Sequence, residues 1–553
     1  MSDLKKKAVA RAAAPGPKSE GSRGPGDLRA YLPETALRRA WLGVPKACRS
    51  AFLGAFFLGL ATHLFLFANK LPNADDLSDL YHFNTMTSSG RWFDIVAKGI
   101  SGYYSAPWAI GLVSLFFLAL ATAFLCHLLK ARRSGSALMI AGLLATYPVL
   151  ASHFSYMFYA DLYMVALFLS VLSIWLCRDR WWGVLPGGLC LAMALGSYQA
   201  YLAVAVVTAL LSIIISCLER ASDARRVLCR GLRYLAAGGL GLVLYFGIQN
   251  FLMDHLHVAL TDYQSINTMG QTSLAQIREA LVKAYSQPGF FYFNDAFFTT
   301  PAFFKLLYGL LLGLGGVFLV AAAGKSRLWK SPRLLIALAA LALLPLGYNI
   351  IYLMAPSAAL HCLMFPAYML YLVMPVFFYE AAYPLCPEGG ARPAAVSAGQ
   401  VGLSWLTLAA SALVCFFFFL TVNTAYLHLH LKYEVTYATE LRILDRLEQL
   451  PGYESDTPVV FAGAFPNDNM SMYPYYTKEA VGDMVGLRGN LVHHRLNYEG
   501  FYLNYLGKEL VIAEDGDARE VRATEEFAAM PQWPENGSVA MIQGFAVVKI
   551  NQI

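Results

Sequence analysis

The sequence predicts an all-α polytopic membrane bundle of about eleven transmembrane helices, followed by a small C-terminal α/β domain outside the membrane. Three observations carry this. Of the 553 residues, 57% are hydrophobic and 14% charged, with a mean hydropathy of +0.48, a balance too apolar for a soluble domain of this length. Apolar runs of roughly 20 residues, the length that crosses about 30 Å of hydrocarbon, recur through most of the chain. Lys and Arg gather in every second connection between those runs, as orientation across a membrane requires.

The first 46 residues are polar and basic, with Lys5–Lys7 and a Pro- and Gly-rich stretch (Pro15, Pro17, Gly21, Gly24, Pro25). No early apolar run marks a signal peptide, so residues 1–46 are expected to be a disordered cytoplasmic tail. A transmembrane domain follows over residues 47–427. Its spans are expected near 49–69, 107–129, 136–154, 158–177, 182–198, 200–218, 234–253, 302–323, 334–354, 361–380 and 401–426. The fifth is short, and the tenth contains Pro366.

The basic connections hold Arg38 and Lys46, then Lys130, Arg132 and Arg133, then Arg178 and Arg180, then Arg220, Arg225, Arg226, Arg230 and Arg233, then Lys325, Arg327, Lys330 and Arg333, and finally Arg392. All are assigned to the cytoplasm. The net charge of +6 is thereby explained by orientation, and nucleic acid is excluded as a partner. An odd number of spans leaves the residues after about 427 outside, together with two long loops, 70–106 and 254–301. Within the final region, residues 428–553, an i, i+3 apolar series (Ala438, Leu441, Leu444, Leu447) predicts a helix stopped by Pro451-Gly452. Pro458-Val-Val-Phe-Ala-Gly463 and the alternating run Val539 to Ile550 predict strands. The nine cysteines are scattered singly without a Cys-x-x-Cys pair, the usage of passive core residues.

The first outside loop opens with Asn73-Ala-Asp75-Asp76, continues through Asp79, and reaches Gly90-Arg91-Trp92, Asp94 and Lys98. Transfer of a sugar from a lipid phosphate needs a base to take the proton of an acceptor hydroxyl, and a carboxylate can serve. The lipid chain holds such a donor at headgroup depth, where Asp75 and Asp76 lie. Adjacent carboxylates repel, so either one has a raised pKa or the two share a divalent cation such as Mg or Mn; the sequence leaves both open. The bland alternative is an acidic loop that is merely solvated or capped. Arg91 and Lys98 could clamp a departing phosphate or simply meet lipid headgroups.

Aromatic and polar clusters stand at the outer helix ends: His153-Phe-Ser-Tyr156 with Tyr159 and Asp161, Ser197-Tyr198-Gln199-Ala-Tyr201, and Tyr348-Asn349 with Tyr352. Sugars stack on such rings, although Tyr and Trp also form the aromatic belt of any membrane protein. Asp161, at a helix end, is costly to bury and should face a cavity or a partner. The second loop carries Asp262-Tyr-Gln-Ser265 and an amphipathic stretch, Leu274 to Tyr285, with Arg278 and Lys283 on its polar side, suited to an interfacial helix. His255-x-His257, His428-x-His430 and His493-His494 lack a third ligand at metal-site spacing.

In the order of these motifs and in its hydropathy profile the chain resembles the Gtr-type glucosyltransferases of bacteria and phages, O-antigen-modifying enzymes of the broad GT-C class. The features that match are Asn73-Ala-Asp75-Asp76, Gly90-Arg91-Trp92, Tyr159-Ala-Asp161 and Ser197-Tyr-Gln199, across roughly residues 50–380. The resemblance implies a GT-C-like bundle in the bacterial inner membrane; the C-terminal domain, placed outside by the count of spans and lying beyond the matched part, would then be periplasmic. It implies an inverting transfer of glucose from undecaprenyl-phosphate glucose to a lipid-linked polysaccharide. Asp75 or Asp76 would be the catalytic base, with Asn73, Arg91, Trp92, Asp161, Tyr198 and Gln199 of the matching motifs as donor- and substrate-binding residues; Lys98 and Arg278, read from the loops themselves, complete that set.

Three other readings compete. A lipid-linked-sugar transporter or flippase would place ionisable groups near the bilayer midplane and often carries internal repeats, whereas here charges lie at the span ends and no repeat is seen. A polysaccharide polymerase or ligase is the nearer rival, gripping a diphosphate donor with arginines. A non-catalytic scaffold is the third.

Overall fold

A computed structural model describes residues 32–77, 80–81, 83, 86–261, 273–355, 360–384, 396–465 and 481–551. Asp79, Asp262 to Ser265, Arg392, Lys5–Lys7 and the Pro- and Gly-rich stretch lie outside the described residues. The chain divides into two units, Met1–Lys46 and Ala47–Ile553. In the first, the described residues form one helix, α1 (Pro33–Gly43), begun by a proline at its first position, where the missing N–H costs nothing.

The second unit begins with α2 (Lys46–Ala68) and continues, after the first loop with its short α3 (Asp94–Lys98), into α4 (Pro107–Leu128), α5 (Ser134–Ala145), α6 (Val149–Ser155), α7 (Ala160–Cys177), α8 (Val184–Ser197), α9 (Leu202–Leu218) and α10 (Ala224–Leu256). Then come α11 (Leu274–Phe293), α12 (Ala302–Lys325), α13 (Arg333–Tyr348), α14 (Ile351–Met354), α15 (Met374–Ala382) and α16 (Ala398–Glu448). Among the described residues seven helices are long and apolar enough to cross a membrane: α2, α4, α7 and α9 with the turns that lead into them, α10, α12 and α16; the bent pair α5–α6 makes up to eight.

The remaining expected spans take other forms, for local reasons. Residues 136–154 become α5 and α6, bent by 55° around Pro148, whose ring and missing N–H interrupt the helical ladder. Residues 182–198 and 334–354 become shorter apolar helices, Trp181–Ser197 and Arg333–Tyr348. The second of these stops at Asn349, whose amide Nδ2 donates to the carbonyls of Pro345 and Ala284 at 3.0 and 2.9 Å. Residues 361–380 are not one helix but two short 3₁₀ turns and α15, with Pro366 opening the second turn. The expected interfacial helix at 274–285 runs on to Phe293, and its Arg278 is exposed.

The basic connections share one end of this unit. Lys130 pairs with Glu219 and Arg333 donates to the Glu219 carbonyl. Arg230 pairs with Asp179 at 3.1 Å, Arg133 with Glu380 at 3.2 Å, and Lys325 donates to the Ala382 carbonyl at 2.8 Å. The helix expected over 438–447 is the end of α16, which runs 51 residues from a Ser397 cap, without a break at 427. It carries the C-terminal region, where α17 (Arg495–Phe501), α18 (Asp515–Arg522) and α19 (Glu525–Ala529) accompany β1 (Val459–Ala462), β2 (Val539–Ile542) and β3 (Phe545–Lys549). The sheet order is β1-β3-β2, with β1 parallel and β2 antiparallel to β3. The run from Val539 to Ile550 is therefore a hairpin, turning at Gln543-Gly544, both with positive φ.

Two cores hold the first loop in place. One large core runs through the helical bundle and takes in Val481, Met484 and Leu487 from the C-terminal region. The other lies among the end of α16, the sheet and α17, and it includes Leu77 from the first loop, fully buried there.

Candidate active site

Asn73 shapes the acidic loop. Its side-chain Oδ1 accepts from the backbone N–H groups of Asp75 and Asp76 at 2.8 and 3.0 Å, and its Nδ2 donates to the Ser155 carbonyl at 3.0 Å. This local turn is what Asn side chains favour. The two aspartates it presents differ. Asp76 is buried, and its oxygens accept from the backbone N–H groups of Phe158 (3.2 Å), Met157 (3.3 Å) and Asn73 (3.4 Å). Burial pushes its carboxyl up to about 7, with those N–H bonds pulling the other way. Asp75 keeps its surface open. Partial loss of hydration to the chain around it raises its pKa above the ordinary value, against the pull of His494, His493 and Arg91.

The C-terminal region holds the loop from its other side. Asn497 Nδ2 donates to the Ala74 carbonyl at 2.8 Å and Asn504 Nδ2 to the Leu77 carbonyl at 3.0 Å, while Lys70 lies 4.3 Å over the Tyr505 ring. Asp75 and Asp76 are thus bracketed by hydrogen bonds from both directions.

A cavity of about 450 Å³ opens beside Asp75. Its walls come from the first loop (Met86, Ser89, Arg91), the α6–α7 turn (Tyr156, Phe158, Tyr159), Tyr163 of α7, the α8–α9 turn (Tyr198, Gln199, Ala200) and the broken segment after α13 (Ile351, Ala355, His361, Leu363, Met364). The Arg91 guanidinium lies 4.8 Å over the Tyr198 ring and 5.7 Å from that of Tyr159. Aromatic faces hold a guanidinium flat. Gln199 Nε2 donates to the Ser89 carbonyl at 2.8 Å and the Tyr245 hydroxyl at 3.0 Å; Tyr245 donates to the Gly90 carbonyl at 3.1 Å. Gly90 has φ +71, and a Cβ there would stand 2.5 Å from both Gln199 Nε2 and the Tyr245 hydroxyl, so only glycine fits.

Of the expected site residues, Asp75, Arg91, Tyr198 and Gln199 meet at this cavity, with Asn73 behind them as the organiser. Others are placed elsewhere. Lys98 is buried against Asp94 at 3.5 Å and 4.7 Å over Tyr159. Asp94 also accepts from the Met86 N–H at 3.1 Å and the Tyr159 hydroxyl at 3.2 Å. A buried ammonium needs such a partner, and Lys98 is not among the cavity lining. Trp92 packs over Gly196, where a Cβ would come within 2.6 Å of the indole. Asp161 is buried in the first turn of α7, near Ser101 and Lys98, and is not part of the lining either; nor is Arg278. Tyr348 and Asn349 join a separate aromatic group with Tyr368.

His361, Leu363 and Met364 also line the cavity and carry no signal in the sequence, since they lie inside an apolar run that predicts a helix. Nor does any local signal exist for Asn497 and Asn504. As to a cation, Asp76 is committed to backbone N–H groups and does not join Asp75 as a chelating pair. Among the described residues no three His, Cys, Asp or Glu side chains could hold a metal ion.

A family model described as "Glucosyl transferase GtrII" matches residues 64–377, more than half of the chain, covering the acidic loop and all the walls of this cavity. No curated protein and no solved structure matches.

Proposed function

The chain belongs to the glucosyl transferase GtrII family, and from that premise we propose that it moves a glucosyl group from a polyprenyl-phosphate donor to a lipid-linked surface polysaccharide, with inversion and with Asp75 as the general base. It is a glycosyltransferase, and its long apolar helices make it a membrane protein. The observation that carries the finer reading is that Asp75 opens onto a cavity walled by aromatic rings and holding one guanidinium, Arg91. In the proposed step the acceptor oxygen forms a bond to the anomeric carbon as the bond from that carbon to the phosphate oxygen breaks. The phosphate leaves with the bonding pair toward Arg91, and the acceptor proton passes to Asp75. Arg91 suits one phosphate; a polymerase or ligase gripping a diphosphate would call for more cations than this lining has.

The donor is read as undecaprenyl-phosphate glucose and the acceptor as an O-antigen-like polysaccharide, at the periplasmic face of a bacterial inner membrane. The seven long spans, the bent pair, the two shorter apolar helices and the broken segment at 362–382 would make eleven passages, leaving the C-terminal domain periplasmic. Non-helical backbone is tolerated at membrane depth where protein surrounds it, as it does at residues 362–370. The test is to compare surface polysaccharide from cells with the gene, without it, and with Asp75→Asn. Loss of one glucosyl branch in the second and third is expected; an unaltered polysaccharide in the deletion would overturn the reading.

A further inference from the structure

A second cavity, of about 510 Å³, lies on the other side of the acidic loop. It shares two residues with the first, Asp75 and Tyr156. Asn73 forms part of the same wall, but Lys432, Phe465, Asn490 and His493 come from beyond residue 377, where the family match ends. Two cavities of small-molecule size, in the range of about 300–1,000 Å³, thus meet at one open carboxylate.

We propose that this second cavity is the acceptor site, built by the C-terminal domain, and that it takes the hydroxyl-rich end of a sugar chain; this rests on the polyprenyl-phosphate donor occupying the first cavity. Among the described residues, the first cavity holds a guanidinium with no carboxylate against it, Arg91, seated over the Tyr198 ring; the second is lined by Arg488, but that guanidinium is ion-paired with Asp483. The second has what a carbohydrate needs: the rings of Tyr156 and Phe465 for the C–H faces of a sugar, and N–H donors for its hydroxyls. Lys432 is buried, and among the described residues it gives one of its three N–H groups to the Leu487 carbonyl at 2.9 Å. Asn490 gives its Nδ2 to the Phe465 carbonyl, and among the described residues nothing donates to its Oδ1, which can accept from a ligand hydroxyl. The wall is closed by Gly486, with φ +83, where a Cβ would collide with the Ser155 hydroxyl and come within 2.6 Å of the Tyr156 ring. That close approach ties the C-terminal wall to the α6–α7 turn that lines the first cavity. A hydroxyl delivered from this side reaches Asp75 without crossing the donor's phosphate.

The experiment uses the full-length protein in lipid nanodiscs, with undecaprenyl-phosphate glucose as donor and O-polysaccharide purified from cells lacking the gene as acceptor. Asn490→Ala and His493→Ala each remove a hydrogen-bonding group, and are expected to raise KM for the polysaccharide about tenfold while KM for the donor stays within about twofold. Equilibrium binding of the same polysaccharide to the Asp75→Asn protein, weakened by the same two substitutions, supplies a second readout where turnover is too slow to fit. If the wild-type protein does not transfer glucose at all, the donor reading fails and takes this inference with it. If it does transfer glucose, unchanged acceptor KM and binding in both variants, or a rise in donor KM instead, overturns the acceptor site alone.

Discussion

Both oxygens of Asp76 are occupied by backbone N–H groups of the α6–α7 turn and of Asn73, whereas Asp75 next to it faces open space. The same substitution should therefore have different consequences at the two positions. Asp76→Asn turns an amide N–H toward groups that are themselves donors, and a buried unmet donor costs roughly 1–3 kcal/mol; a lowered thermal midpoint is expected. Asp75→Asn should leave that midpoint within a degree or two, and reduce transfer by about 10²–10⁴-fold, the usual contribution of a general base. Equal loss of stability in the two variants would contradict this division. The pH profile depends on the same carboxyl. A base works only when deprotonated, and partial loss of hydration raises the Asp75 pKa above its ordinary 3.8. Transfer should accordingly fall as pH drops, with its acid limb above that value, and the limb should vanish in Asp75→Asn. For Arg91, whose guanidinium lies 4.8 Å over the Tyr198 ring, lysine is no substitute: Arg91→Lys and Arg91→Ala should raise donor KM by similar factors.

The acidic loop is an element held by two domains. Leu77 is buried in the C-terminal core, and Asn497, 423 residues away in sequence from Ala74, donates to its carbonyl. Cutting either tie should loosen Asp75 without touching the donor cavity. Asn497→Ala and Asn504→Ala are expected to lower kcat about tenfold or more, since an ångström of misplacement can cost 10²-fold, with donor KM held. Leu77→Ala should in addition destabilise the C-terminal core by about 2–5 kcal/mol. The sequence revealed some of this arrangement and hid the rest, for physical reasons. Asn73, Asp75, Arg91, Tyr198 and Gln199 were legible because polar groups at the ends of apolar spans stand out against their surroundings. Lys98 and Trp92 stand out equally, yet one is neutralised by Asp94 and the other lies on Gly196, and neither partner can be chosen from local pattern. The straight helix expected over 361–380 failed at Pro366, and with it went the cavity wall at His361 to Met364. The strand at 459–462 was legible as a short apolar run between Pro458 and Gly463 and those at 539–549 from alternation, but the parallel pairing of β1 with β3 depends on chain far apart and was not.

Across the whole second unit, chemistry and charge occupy different ends. The connections at 130–133, 178–180, 219–233 and 325–333 are linked to one another and to residues 380–382 by ion pairs and hydrogen bonds, while Asp75 and both cavities lie among the turns at the other ends of the same helices. Positive charge favours the cytoplasmic side, so this polarity predicts that the acidic loop faces outward. The prediction can be checked with single reporter cysteines. Six of the eight described native cysteines are buried and the other two half-buried, which keeps the labelling background low. Ile100, in the first loop, and Ala221, in a basic connection, are both exposed, and neither is charged, so replacing either leaves the orienting residues intact. In intact spheroplasts a membrane-impermeant maleimide should label Ile100→Cys and spare Ala221→Cys until the membrane is opened. The reverse pattern would put Asp75 in the cytosol, where a donor presented on the outer leaflet could not meet it.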